Sequence, residues 1–145
     1  MTMADGFASH IAQALADGRA LAESLMVDTC TITRAGTGTG PFDPETGQYD
    51  DPARVSVYSG KCKIQDKSII AASTSSNAGD RAVIAQGSEL QLPVIESAGV
   101  AINDVSHIDT CVDDPSLVDR EYTISARHGK SQATARRLRV EEATG

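Results

Sequence analysis

Six short segments of this chain alternate apolar and polar residues with a period of two. That pattern limits the fold more tightly than any other feature. Period two puts successive side chains on opposite faces of an extended strand, so each segment reads as a strand with one face turned inward. In DTCTITR, Cys30 and Ile32 share a face against Thr29, Thr31 and Thr33. In RVSVYSGKCKIQ, Val55 and Val57 share one parity, whereas Cys62 and Ile64 share the other. One residue of phase is lost near Ser59 and Gly60, as a β-bulge or glycine kink at a barrel corner would cause. AVIAQGSELQLPV places Leu90, Leu92 and Val94 in alternation, with Pro93 near a strand end. DVSHIDTCV is a mixed strand around Ile108, Thr110 and Val112, and EYTISAR turns Tyr122, Ile124 and Ala126 inward. TARRLRVE sets Leu138 and Val140 against Arg137, Arg139 and Glu141, with Arg136 on the inward parity at the strand's start, its head reaching solvent. About six strands joined mostly by turns predict a mainly β fold, a small antiparallel β-barrel or sandwich.

One helix precedes them. Phe7, Ile11, Ala14, Gly18, Leu21 and Leu25 recur at alternating steps of four and three, which stacks them on one helical face. The expected organisation is a single domain over 1–145, with a helical segment 1–27 and a barrel 28–145 carrying long loops 35–53 and 66–81. The core must be built from aliphatic side chains, because there is no Trp and there are only two Phe and three Tyr. The helix stripe is expected to dock either on its own barrel or on a neighbouring subunit. Since aromatic rings bury the most surface per residue, a core this poor in them favours extra burial at a subunit interface.

The loops carry little chemistry. AGTGTGPFDPETGQYDDPAR is crowded with turn formers, and its GTGTG lacks the Gly-Lys-Ser/Thr ending of a phosphate loop. DKSIIAASTSSNAGD is too weakly apolar to pack as a strand and reads as an extended loop. His107 and Cys111 stand about 13 Å apart along an ideal strand, too far to share a metal. No Cys-x-x-Cys or His-x-x-x-His occurs, and Cys30, Cys62 and Cys111 read as small buried hydrophobes with reduced thiols. Asp50-Asp51 and Asp113-Asp114 precede prolines and read as solvated turns. No catalytic, metal or cofactor site is expected, nor a membrane span or enzymatic activity. With 13 basic residues against 20 acidic ones, a net charge of −7, dedicated DNA binding is not expected either.

The order of these features resembles that of a known family. A short helix, a strand, a glycine-rich loop, YSGKCKIQ and a long polar loop are followed by ELQLPV, GVAINDVSHI, DPSLVDREYTISA and the closing SQATARRLRVEE. The succession is similar to the head-closure, or head-to-tail stopper, proteins of long-tailed siphovirus-type bacteriophages, particularly those of actinobacterial hosts. The likeness is most specific over 55–65 and 88–140, through a Leu-Pro, an Asp before a strand and the Arg-Arg-Leu-x-Val ending. Asn103-Asp104 stands where Gly-Asp is common in that family, and the tract 35–53 is longer.

The resemblance implies a structural virion protein assembled in the bacterial cytoplasm into a homo-oligomeric ring of six or twelve copies. It would sit in the neck, below the portal and adaptor and above the tail terminator and tail tube. Packaged DNA would pass through the lumen without sequence-specific contact. A long loop would approach the channel axis, with Asp66, Lys67, Ser68, Ser73, Ser75, Ser76, Asn77, Gly79 and Asp80 as its candidate gating residues. Phe7, Ile11, Leu21, Leu25, Arg137 and Arg139 are the candidate subunit or ring interface. A tail terminator or other head-tail joint is the nearest alternative, and an OB-like nucleic-acid-binding barrel a more distant one.

Overall fold

The computed structural model of the chain describes residues 3–71 and 83–143. Helix α1 spans Met3–Ser24, and its last turn closes through Leu25 N–H to Ala22 O and Met26 N–H to Glu23 O. Met26 is buried and marks where the chain enters the barrel. The strands are β1 (Asp28–Arg34), β2 (Phe42–Asp43), β3 (Gln48–Tyr49), β4 (Val55–Ala71), β5 (Val83–Leu92), β6 (Val105–Thr110), β7 (Glu121–His128) and β8 (Arg136–Glu142). Six of them close into an antiparallel barrel in the order β1-β4-β5-β8-β7-β6, while β2 and β3 form a separate hairpin. Closure removes the open sheet edges that invite aggregation.

The barrel's interior is the aliphatic core its sequence requires. Ile32, Leu90, Leu92, Ile108, Ile124, Leu138 and Val140 are fully buried, joined by Cys30, Cys62, Val100, Tyr58 and Tyr122. Three β-bulges set which residues reach it. Ile32 pairs with Tyr58 and Thr33 with Ser56, leaving Val57 as the extra residue. The lost phase thus lies two residues before the expected Ser59-Gly60. At Gly60, where φ is 158°, a Cβ would make a tight approach of 3.1 Å to the Tyr58 hydroxyl.

The second bulge is Asp109, between the pairs Cys30–Ile108 and Thr29–Thr110. It inverts the parity, so Cys111 is buried, while Thr110 and Val112, expected to continue the inward row of Ile108, are exposed. The third is Ser125, between Ile124–Val140 and Ala126–Arg139. Directly paired residues of antiparallel strands share a face, so Ala126, expected inward, lies on the outer face with Arg139. Val94 is also corrected: β5 ends at Leu92 and Val94 belongs to the turn that follows.

The loop expected over 66–81 is corrected at its start. Asp66, Lys67 and Ser68 continue β4, which pairs with β5 through Lys67–Gly87, Ser68–Gln86, Ile69–Ala85, Ile70–Ile84 and Ala71–Val83. Backbone pairing, which needs no apolar face, makes strand where weak hydrophobicity predicts loop. The β5–β8 ladder begins only at Ser88, so these five pairs form a two-stranded ribbon beyond the ladder, roughly 16 Å long at ordinary strand rise. Ser73, Ser75, Ser76, Asn77, Gly79 and Asp80 lie outside the described residues.

Within 35–53, the β2–β3 hairpin turns through Gly47 at φ 70° and an Asp43 carboxylate that accepts from the Glu45 N–H at 2.9 Å. Phe42 and Tyr49 pack edge to face at 5.3 Å, and both are exposed.

Candidate functional site

The closing strand and the turn before it build a concave surface. On β8, period two sends Leu138 and Val140 into the core and Arg137 and Arg139 outward. Register places Gln91 and Glu89 of β5 opposite these two arginines. The Ser125 bulge then brings His128 of β7 opposite Arg137 on the same outer face. Without that extra residue His128 would have kept the parity of Ile124. Over this face the turn 129–135 folds back, leaving a cleft of about 650 Å³ lined by Gly87, Glu89, His128, Lys130, Arg137 and Arg139 among others.

Inside the cleft the polar groups are unequally satisfied. Glu89 is buried and accepts from the Gln91 amide at 3.0 Å, while the Arg137 Nε lies 3.9 Å from its carboxylate. Arg139 is half-buried, and its Nε is shielded from solvent with no hydrogen-bond partner. A buried donor without an acceptor costs about 1–3 kcal/mol, and more when charged. Arg136, expected to reach solvent, instead donates from Nε to Ser97 Oγ at 2.9 Å and from a terminal nitrogen to Val94 O at 2.8 Å. Burial, and secondarily the nearby Arg127, lower its pKa. Its position opposite Leu92 at the barrel's end makes it a clamp on the 93–99 turn.

The other interface candidates share one fate. Phe7, Ile11, Leu21 and Leu25 are all exposed, with Phe7 at 69% and Leu21 at 66%. The helix touches the barrel's 133–134 turn through Gly18, in the middle of the stripe, and Arg19 beside it. Arg19 Nε donates to Ala133 O at 3.1 Å, and a Cβ on Gly18 would come within 2.9 Å of the Thr134 methyl. Gly18, predicted on the apolar stripe, thus marks a close approach to the domain's own turn. Asp66, a predicted gating residue, accepts from Ser88 Oγ at 2.6 Å across the β4–β5 ladder.

No group of three or more metal-ligating side chains occurs among the described residues. His107 is spoken for by Asp109 at 2.9 Å and Asp119 at 3.4 Å. The cysteines are buried and free. A hydrogen bond with Cys30, reinforced by burial, raises the Cys62 pKa, and burial raises that of Cys111. Such thiols are poor nucleophiles. Asp114, read as a turn residue, caps a short 3₁₀ helix at Pro115–Leu117, and its hydrogen bonds from Ser116 hold its carboxyl below the ordinary value.

A second charged centre escaped the sequence reading. Asp104 is buried and binds Arg34 through two contacts, Nε to Oδ1 at 2.9 Å and a terminal nitrogen to Oδ2 at 3.0 Å. It also accepts from the Ala101 N–H at 2.8 Å. Burial pushes the Asp104 carboxyl up, but the Arg34 and Ala101 hydrogen bonds outweigh it and the net pKa is lowered. The preceding Asn103 sits at φ 75°, a left-handed conformation that Gly takes freely and Asn tolerates best among the rest. The site is architectural: it ties β1 to the turn before β6.

A family model described as "Family of unknown function (DUF6093)" matches residues 18–141, from the second half of α1 to the penultimate residue of β8. No curated protein and no solved structure matches the chain.

Proposed function

The chain belongs to that family, DUF6093, and from the surfaces it leaves uncovered we propose that it is a structural joint of a long-tailed bacteriophage, a head-closure (stopper) subunit of the neck. The observation that carries this reading is the apolar stripe of α1. Phe7, Ile11, Leu21 and Leu25 are aligned by periodicity, yet the subunit's own barrel covers none of them. A contiguous apolar face left to water marks an assembly surface, and repeated copies around a ring would cover it. The exposed Phe42–Tyr49 pair offers a second contact at the hairpin.

In this role the subunit is not an enzyme and works with no cofactor. Six or twelve copies form a ring between the portal-adaptor complex and the tail, with the β4–β5 ribbon directed toward the channel. A net charge of −7 keeps packaged DNA from sticking during passage, because like charge repels the phosphate backbone. Nucleic-acid binding on the barrel is less favoured, since binding single strands calls for a basic groove with aromatic platforms.

The test is fractionation of particles from a host blocked at head–tail joining. A stopper is expected on DNA-filled heads and absent from free tails, and cryo-electron microscopy of the intact particle should place a ring of these barrels at the neck. Recovery on free tails alone would make it a tail terminator. Absence from heads, tails and particles would end the virion reading.

A further inference from the structure

We infer that the cleft beneath the β7–β8 turn is a binding site for a carboxylate-bearing segment of a protein partner. Three cationic side chains, Lys130, Arg137 and Arg139, line it together with His128, against the single carboxylate of Glu89. Such a concentration of positive charge is out of keeping with a chain of net charge −7. Arg137 and Lys130 are exposed where they line the cavity, and part of the Arg139 side chain lines it beside them. Accessible cationic heads converging on one cleft call for an oxygen acceptor, and a carboxylate meets them with charge-assisted hydrogen bonds.

Size and charge select among anions. About 650 Å³ accommodates a few side chains of an extended segment, whereas a nucleic-acid duplex would have to approach an acidic protein across a broad face. The wall supports capture as well. The turn is braced from behind by Arg19, which holds Ala133 O at 3.1 Å, and Gln132 within it adopts φ 58°, so the cavity is shaped before a ligand arrives. The inference stands on the cleft alone and does not require the neck assignment.

Titration calorimetry of the full chain with a hexaglutamate peptide, paired with amide chemical-shift mapping, tests it. Saturable, salt-sensitive binding is expected, with shifts confined to residues 87–89 and 128–139. Arg139→Gln should weaken it by about tenfold, the scale of one lost charged hydrogen bond. Lys130→Glu alters only the exposed turn, so it reports on the cleft even if the Arg139 variant folds poorly, and it too should weaken binding. Absence of saturable binding, shifts mapping elsewhere, or unchanged affinity in Lys130→Glu would overturn the inference. Equal binding of a hexathymidylate would also overturn it, by showing a general anion or nucleic-acid site.

Discussion

The barrel and the helix carry apolar patterns of similar clarity and end in opposite states. Period two on the strands leads to Ile32, Leu90 and Leu138 at 0% exposure, whereas the four-three spacing on α1 leads to Phe7 at 69%. The strands close on one another, so every inward side chain finds partners within the same chain. The helix meets the barrel at Gly18, within the stripe, and Arg19 beside it, at the 133–134 turn, a contact that leaves the stripe's large side chains exposed. An apolar stripe therefore says that a surface will be covered, but not by whom. A parallel contrast separates two arginines: Arg34 finds a fully engaged carboxylate in Asp104, while the Arg139 Nε finds nothing.

The sharpest break of this contrast lies in the core. Leu138→Ala should destabilise the subunit by about 2–5 kcal/mol, since a fully buried leucine leaves a cavity behind. Chemical denaturation would register it. A loss below about 1 kcal/mol, well under the usual range for such a deletion, would mean that the barrel is far looser than its buried residues imply.

Asp104→Asn should come next, at roughly 1–3 kcal/mol, because the Arg34 and Ala101 donors lose their charged acceptor. The pH dependence follows from the lowered carboxyl. Its stabilisation is complete above the unfolded carboxylate range, near pH 4, and is lost as pH falls through the still lower folded value. Stability curves of the parent chain should therefore drop on the acid side, and the Asn variant should show a shallower drop. Identical acid limbs would remove Asp104 from the account.

Arg137→Gln breaks a long, exposed contact with Glu89 and should cost no more than about 1 kcal/mol. The smallest stability effect belongs to the helix. Phe7→Ser with Leu21→Ser should change unfolding free energy by about 0.5 kcal/mol or less, as exposed substitutions do, yet abolish incorporation into particles. Thermal melts of the purified subunit and complementation of particle assembly measure the two halves. Assembly at the normal yield would show that the stripe is not an interface.

Much of the barrel is legible in the sequence because its rule is local. Burial parity in β1, β8 and the centre of β5 follows directly from alternating residue types, and the Arg137–Arg139 pair is readable as an outward face. Parity fails at Val57, Asp109 and Ser125, since a bulge is fixed by how a neighbouring strand pairs rather than by its own composition. Val112, Thr110 and Ala126 depart from alternation for that reason. Strand over 66–71 is invisible to hydrophobic patterning, because ladder hydrogen bonds supply there what apolar side chains do not. The two arginines are visible, but the cleft is not: it needs His128 turned outward by Ser125 and Glu89 brought in from β5.

Sequence alone determined the class of fold, the aliphatic core and the presence of an apolar helical face, because hydrophobic periodicity acts within a few residues. Tertiary structure alone decided that the helix stripe would stay uncovered, that Asp104 would meet Arg34 across 70 residues of chain, and that the Arg139 Nε would be shielded from solvent without an acceptor. These depend on strand register and on which surfaces a closed barrel can reach, and both are properties of distant segments meeting.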